Sequence, residues 1–168
     1  MGTTRSTGFT ILRGALYSAA FVWLWTSLAL GVRALDPRFS TLPPTWLRVP
    51  GLVLACAGAL LTGWCILTFV TRGRGTPAPF DPPRVFVVAG PYRYVRNPMY
   101  IGATALMLGA GLAVASPSIM LLACGFVVVM HLFVVLHEEP ALGRTFGEDY
   151  RQYCASVHRW RIRRPRTR

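Results

Sequence analysis

The sequence predicts an all-α, polytopic membrane helical bundle with about four transmembrane helices plus an interfacial C-terminal helical segment. Three observations predict it. Of 168 residues, 53% are hydrophobic, more than an ordinary soluble surface accommodates. Charge-free runs are long enough to cross about 30 Å of hydrocarbon as helix, which takes about 20 residues. Eighteen basic residues, all arginine, lie between and after those runs and face only six acids. The whole chain, 1–168, reads as a single domain.

Gly14 to Val32 is 19 residues without a charge, and Val49 to Thr71 is 23; these are spans one and two, at about 14–32 and 49–71. The first reads as a span and not a cleaved leader, because its apolar core exceeds the usual 7 to 15 residues and no A-x-A site follows. From Asn97 to His137 there are 41 residues without a formal charge, about 60 Å of helix and twice the hydrocarbon thickness. That length must fold back. Ser116-Pro117 supplies the break, since proline lacks a donor and disfavours helix in the residue before it, giving spans at about 98–115 and 118–137.

Arginines number 2 in the N-terminus, 3 in the first loop, 5 in the loop from 72 to 96 and 8 after residue 137. The positive-inside rule then places both termini in the cytosol, with the cell inner membrane as the expected location. Because the arginines flank apolar spans instead of forming a mixed basic and aromatic face, membrane lipids with anionic headgroups are the expected counter-charge and nucleic acid is not an expected partner. Cys56, Cys65, Cys124 and Cys154 show no CxxC or CxxH spacing, so neither a disulfide framework nor a metal site is indicated. Small residues at four-residue spacing, Ala55-Ala59-Gly63 on span two and Ala105-Gly109-Ala113 on span three, would let these helices approach closely.

Residues 72–97 form a cytosolic loop, rich in Gly and Pro through residue 89 and unable to be one continuous helix. In the segment 138–160, Leu142, Phe146, Tyr150, Tyr153 and Val157 recur at helical spacing. This segment is expected to lie along the interface with its apolar side toward the bundle, broken at Gly147. The final RWRIRRPRTR reads as a solvated, lipid-touching tail without a substrate role.

Chemistry concentrates in GPYRYVRNPMYIG, residues 90–102. Asn97-Pro98 reads as a helix start, asparagine being a strong N-cap and proline favoured at the first helical position. The positive dipole end there favours an anionic group, and Tyr92, Tyr94 and Tyr100 offer flat faces at the same depth. Arginines and tyrosines at a membrane boundary also arise without any ligand. Glu138 and Glu139 end span four, and the hairpin returns them to the same face; adjacent carboxylates at that depth are costly unless paired or used. They also suit the acidic first turn of a following helix. His131, in the middle of span four, reads as a packing histidine, and His137 lies nearer the site. Donors for a carboxylate, faces for a heterocycle and carboxylates for a cation match the chemical parts of S-adenosylmethionine.

GPYRYVRNPMYxG followed about 40 residues later by EExxLxxxFGxxYxxY closely resembles the isoprenylcysteine carboxyl methyltransferase and phospholipid methyltransferase family of integral membrane enzymes, over roughly residues 75 to 160. The resemblance implies an S-adenosylmethionine-dependent membrane methyltransferase whose donor sits in a cytosol-facing site and whose lipid-like acceptor arrives from the bilayer. It implicates Arg84, Val85, Phe86 and Val87 as a backbone-lined edge, together with Tyr92, Asn97, Pro98, Met99 and Tyr100. Glu138 and Glu139 would hold the donor's ammonium or sulfonium side. Glu138, Glu139 and Tyr100 are the expected catalytic residues. Two departures stand out: most members have RHP where this chain has Arg96-Asn97-Pro98, and the prenylcysteine enzymes have an arginine where this chain has Val134.

In-line methyl transfer rests on holding donor and acceptor at near-attack distance away from water. A carboxylate acceptor is already ionised at neutral pH, whereas an amine must lose a proton to a base, and His137, Glu139 and Tyr100 are the nearby candidates. Carboxyl O-methylation of a small apolar acceptor is therefore favoured. N-methylation of an amine phospholipid and a non-catalytic four-span protein are the alternatives.

Overall fold

A computed structural model describes residues 7–73 and 86–162. Its helices in chain order are α1 (Thr7–Val32), α2 (Arg48–Thr68), α3 (Pro98–Ala113), α4 (Pro117–Phe133) and α5 (Glu139–Ser156), and no strand occurs among the described residues. The fold class is the all-α bundle that the sequence predicts. Three stretches, Ala19–Arg38, Thr45–Thr68 and Pro117–Ser156, are long and apolar enough to cross a membrane, and Pro98–Ala113 is a shorter apolar helix.

α2 and α3 form the closest pair, because their contact faces lack side chains. A Cβ on Gly51 would sit 2.6 Å from the Leu112 Cβ, and one on Gly102 would meet the Thr62 hydroxyl at 2.5 Å. Gly58 and Gly109 abut backbone of the facing helix still more tightly. The expected stripe is thus corrected in part. Ala55 and Gly109 lie in the seam, but Ala59 is exposed and a Cβ on Gly63 would meet nothing within 4 Å. The seam is Gly51, Ala55 and Gly58 against Gly102 and Gly109, an alternation of three- and four-residue steps that keeps to one helix face where a strict four-residue step drifts off it. Backbones this close gain dispersion contacts that bulkier pairs cannot reach in lipid, where burial gives little drive.

α3 ends where Ala115 adopts φ 52 and the Ser116 amide donates to the Gly111 carbonyl at 2.8 Å. α4 starts at Pro117 with Ser116 as N-cap, its hydroxyl accepting from the Ile119 amide at 3.3 Å. The Ser116 hydroxyl in turn donates to Asp36 Oδ1 at 2.9 Å, and the Ser118 amide donates to the same oxygen at 3.1 Å. Asp36, on the turn that follows α1, therefore caps α4 from outside and fixes which end of the bundle the 3-4 hairpin occupies. α1 rests on α4 through Trp25 and Phe126, edge to face at 4.8 Å.

α4 does not stop at residue 137. It widens into a π turn, Val134–Glu138, and continues as α5. Pro140 gives the reason: its ring would clash with the carbonyl four residues back, and one extra residue in the turn relieves this. The chain then kinks at Gly147, where φ is 53 and ψ is −118. Beyond the kink Tyr150, Tyr153 and Val157 are buried, with Leu142 and Phe146 packed against them.

Candidate active site at the α3 start and the α4–α5 junction

Four pieces of chain meet at the end of the bundle opposite Asp36: the turn Gly90–Arg93, the start of α3, the α4–α5 junction, and the strap 157–160 that follows α5. Tyr92 is buried, its ring edge to face with Phe69 at 5.0 Å, and its carbonyl accepts from the Tyr153 hydroxyl at 2.7 Å. Burial, reinforced by the neighbouring Cys65 thiol, holds the Tyr92 phenol well above its usual range, so it stays protonated. Phe86 is enclosed by Phe146, Tyr150 and Tyr153, with ring centroids 5.1, 5.8 and 5.1 Å away. Val87 is buried beside it. Arg84 and Val85 lie outside the described residues. Tyr94 points away, 41% exposed.

α3 begins at Pro98, as the sequence predicts, but Asn97 does not cap it with its side chain. Its Nδ2 instead donates to the Arg159 carbonyl at 3.3 Å, and the Arg96 amide donates to the His158 carbonyl at 2.9 Å. The strap thus lies across the helix start. Pro98 is fully buried and Met99 and Tyr100 are half-buried on the first turn.

The two adjacent glutamates part company. Glu139 receives a bidentate hydrogen bond from Arg159, Nε to Oε1 and Nη2 to Oε2, both at 2.7 Å. Arg96 Nη1 lies 3.1 Å from the same carboxylate and also donates to Cys154 Sγ at 2.8 Å. Burial alone would raise Glu139, but the Arg159 hydrogen bond and the Arg96 charge outweigh it and hold this carboxyl below its usual range. Glu138, one residue earlier and just past the expected end of span four, accepts from the Tyr100 hydroxyl at 2.9 Å. Among the described residues no cation pairs with it. Loss of water around it raises the Glu138 carboxyl from its ordinary value; the Tyr100 hydrogen bond opposes that rise and the Glu139 charge adds to it.

His131 borders this cluster, and His137 stands apart from it. His131 is exposed on α4, and its Nδ1 accepts from Trp160 Nε1 at 3.1 Å, which satisfies it as a packing group. His137 is exposed and stacked on Phe133 at 5.7 Å. Val134 is fully buried in the π turn. No cluster of His, Cys, Asp or Glu suited to a metal occurs among the described residues.

Sequence reasoning missed Arg159 and Trp160, which it left in a solvated tail. The one signal for them was the cost of two carboxylates at the membrane boundary, and that cost does not say which of the eight arginines after residue 137 answers it.

The donor implied by the motifs carries a sulfonium and an ammonium group. A half-buried carboxylate held by one neutral hydroxyl suits such a cation, and the α3 start, whose asparagine gives no side-chain cap, suits the donor's carboxylate, so the residues fit it. The sequence model for phospholipid methyltransferases matches residues 46–149, well over half of the chain and inclusive of α2, α3, α4, the glutamate pair and most of α5. None of the curated proteins and none of the solved structures matches it. With its apolar helices this is an integral membrane protein, and the chain belongs to the phospholipid methyltransferase family.

Proposed function

We propose that the protein transfers a methyl group from S-adenosylmethionine to a lipid-like, carboxylate-bearing acceptor at the cytosolic membrane face. The observation that carries the reading is the half-buried Glu138, hydrogen-bonded to Tyr100 and without a cation partner among the described residues. When bound, S-adenosylmethionine supplies a methyl group on a positively charged sulfur, which departs with the carbon–sulfur electron pair as neutral S-adenosylhomocysteine.

The chain's own residues orient and shelter. Glu138 faces the donor's cationic side, with Tyr100 fixing its carboxylate through the 2.9 Å hydrogen bond. Asn97, Pro98 and Met99 present the α3 start to the donor's carboxylate, and Tyr92 closes the floor between α2 and the strap. Phe86 and Val87 form an apolar edge that keeps water from the reacting atoms. Glu139 is withdrawn from substrate contact by Arg159 and Arg96.

O-methylation is favoured over N-methylation on two grounds. Two guanidinium groups and one carboxylate in the Arg96, Glu139 and Arg159 cluster leave one net positive charge for an anionic acceptor. The three candidate bases are otherwise engaged among the described residues: His137 stacks outward on Phe133, Tyr100 donates to Glu138 and Glu139 accepts from Arg159. A carboxylate needs no base, whereas an ammonium acceptor does. The buried Val134, where the prenylcysteine enzymes carry arginine, supports a small apolar acid over a farnesylated protein.

The test is incubation of membranes holding the protein with methyl-labelled donor, offering a long-chain or isoprenoid acid in one arm and phosphatidylethanolamine in the other. Base-labile methyl ester in the first arm is expected. Label in the amine headgroup alone would replace this acceptor class, and no saturable donor binding by the purified protein would return the chain to a non-catalytic role.

A further inference from the structure

The two neighbouring glutamates have opposite surroundings, and the group that separates them comes from the far end of the chain. Arg159 covers both oxygens of Glu139 at 2.7 Å while its own carbonyl accepts from Asn97 at 3.3 Å. One residue therefore touches the α4–α5 junction and the α3 start together. The adjoining His158 carbonyl and Trp160 indole tie the strap to Arg96 and His131 on either side. Glu138 ends the π turn and Glu139 opens α5, so fixing the Glu139 carboxylate sets the backbone from which Glu138 reaches Tyr100.

We infer that Arg159 is a positioning residue for the donor site: by clamping Glu139 it aims Glu138 at the donor's sulfonium charge and removes the second carboxylate from competition for it. This rests on the donor site proposed above. A strap that merely packed would stabilise the protein and favour every ligand of the site alike. A clamp acting through Glu138 favours the cationic donor over S-adenosylhomocysteine, which lacks the sulfonium charge.

The experiment is calorimetric titration of the purified full chain in detergent with S-adenosylmethionine and with S-adenosylhomocysteine, for the parent, Arg159→Gln, Glu139→Gln, the double variant and Glu138→Gln. Arg159→Gln is expected to weaken the donor about tenfold and the product less than about threefold, the scale of one charge-assisted hydrogen bond. The double variant should lose no more than the worse single one, since both act through one contact. Equal weakening of donor and product, or additive losses in the double variant, would overturn the clamp. A silent Glu138→Gln overturns the donor site and the inference with it, whereas an effect of Glu138→Gln beside a parent-like Arg159→Gln overturns only the role of Arg159. If Arg159→Gln does not accumulate, Arg159→Lys carries the test, because it keeps the charge but not the two-point geometry. A smaller loss confined to the donor is then expected, and parent-like or equal losses count against the clamp.

Discussion

Glu138 and Glu139 share a chemical type and a position in the chain, yet the residues facing them give them different work. Glu138 holds a hydroxyl and Glu139 holds two guanidinium groups. In the proposed donor site, replacing Glu138 with Gln removes the charge that faces the donor's cation, and a charge-assisted hydrogen bond is worth about 1.5 to 3 kcal/mol. Glu138→Gln should therefore weaken donor binding about ten- to a hundredfold, with the thermal midpoint near that of the parent. Tyr100→Phe leaves the carboxylate but frees its rotamer, and a loss of about three- to tenfold is expected. Titration of both variants with S-adenosylmethionine checks this order; donor affinities equal to the parent's would make the pair a structural hydrogen bond and nothing more.

Between elements, the decisive contacts are the α2–α3 seam and the Asp36 cap, and both are accessible to substitution. A methyl group at Gly109 meets backbone of α2 that has nowhere to move, so Gly109→Ala should lower stability by about 1 to 3 kcal/mol through overpacking. Gly63→Ala is the matched control. Nothing lies within 4 Å of its Cβ, and alanine is the better helix former by about 1 kcal/mol, so that variant should be neutral or more stable. Thermal unfolding in detergent compares the two, and equal losses would show that the seam is not as tight as its geometry. Asp36→Ala removes an acceptor from both the Ser116 hydroxyl and the Ser118 amide, and a lost helix cap costs about 0.5 to 2 kcal/mol. A midpoint unchanged from the parent would mean that water replaces Asp36 without cost.

For the whole molecule, Asp36 and the 3-4 turn mark one end of the bundle, and Arg96, Glu138, Glu139 and the strap mark the other. Putting the second end in the cytosol places 15 of the 18 arginines there, since only 3 fall in the 33–48 loop. A cysteine introduced at residue 41, in a background lacking the four native cysteines, should react with an impermeant reagent from the outside only. Modification of inside-out vesicles alone would reverse this topology. The strap gives the molecule its other large-scale feature, because it joins residues about 60 positions apart and makes the C-terminal segment part of the site.

Hydropathy and helix-breaking chemistry determined the helices from the sequence alone. Uncharged length marks the apolar helices, Ser116-Pro117 the hairpin, Asn97-Pro98 the start of α3 and Gly147 the kink, since each depends on local backbone rules that neighbours do not override. The motif stretch and the glutamate pair are likewise residues that the fold brings together. Only the tertiary structure decided which carboxylate pairs with cations and which, among the described residues, holds a hydroxyl instead, because that depends on an arginine 20 residues away in the chain and brought back by a kinked helix. It also decided that Asn97 reaches the strap instead of its own helix, that Asp36 caps α4 from 80 residues away, and that Gly58 and not Gly63 faces α3. Each of these is a choice among chemically equal partners, and spatial proximity, which spacing along the chain does not encode, makes the choice.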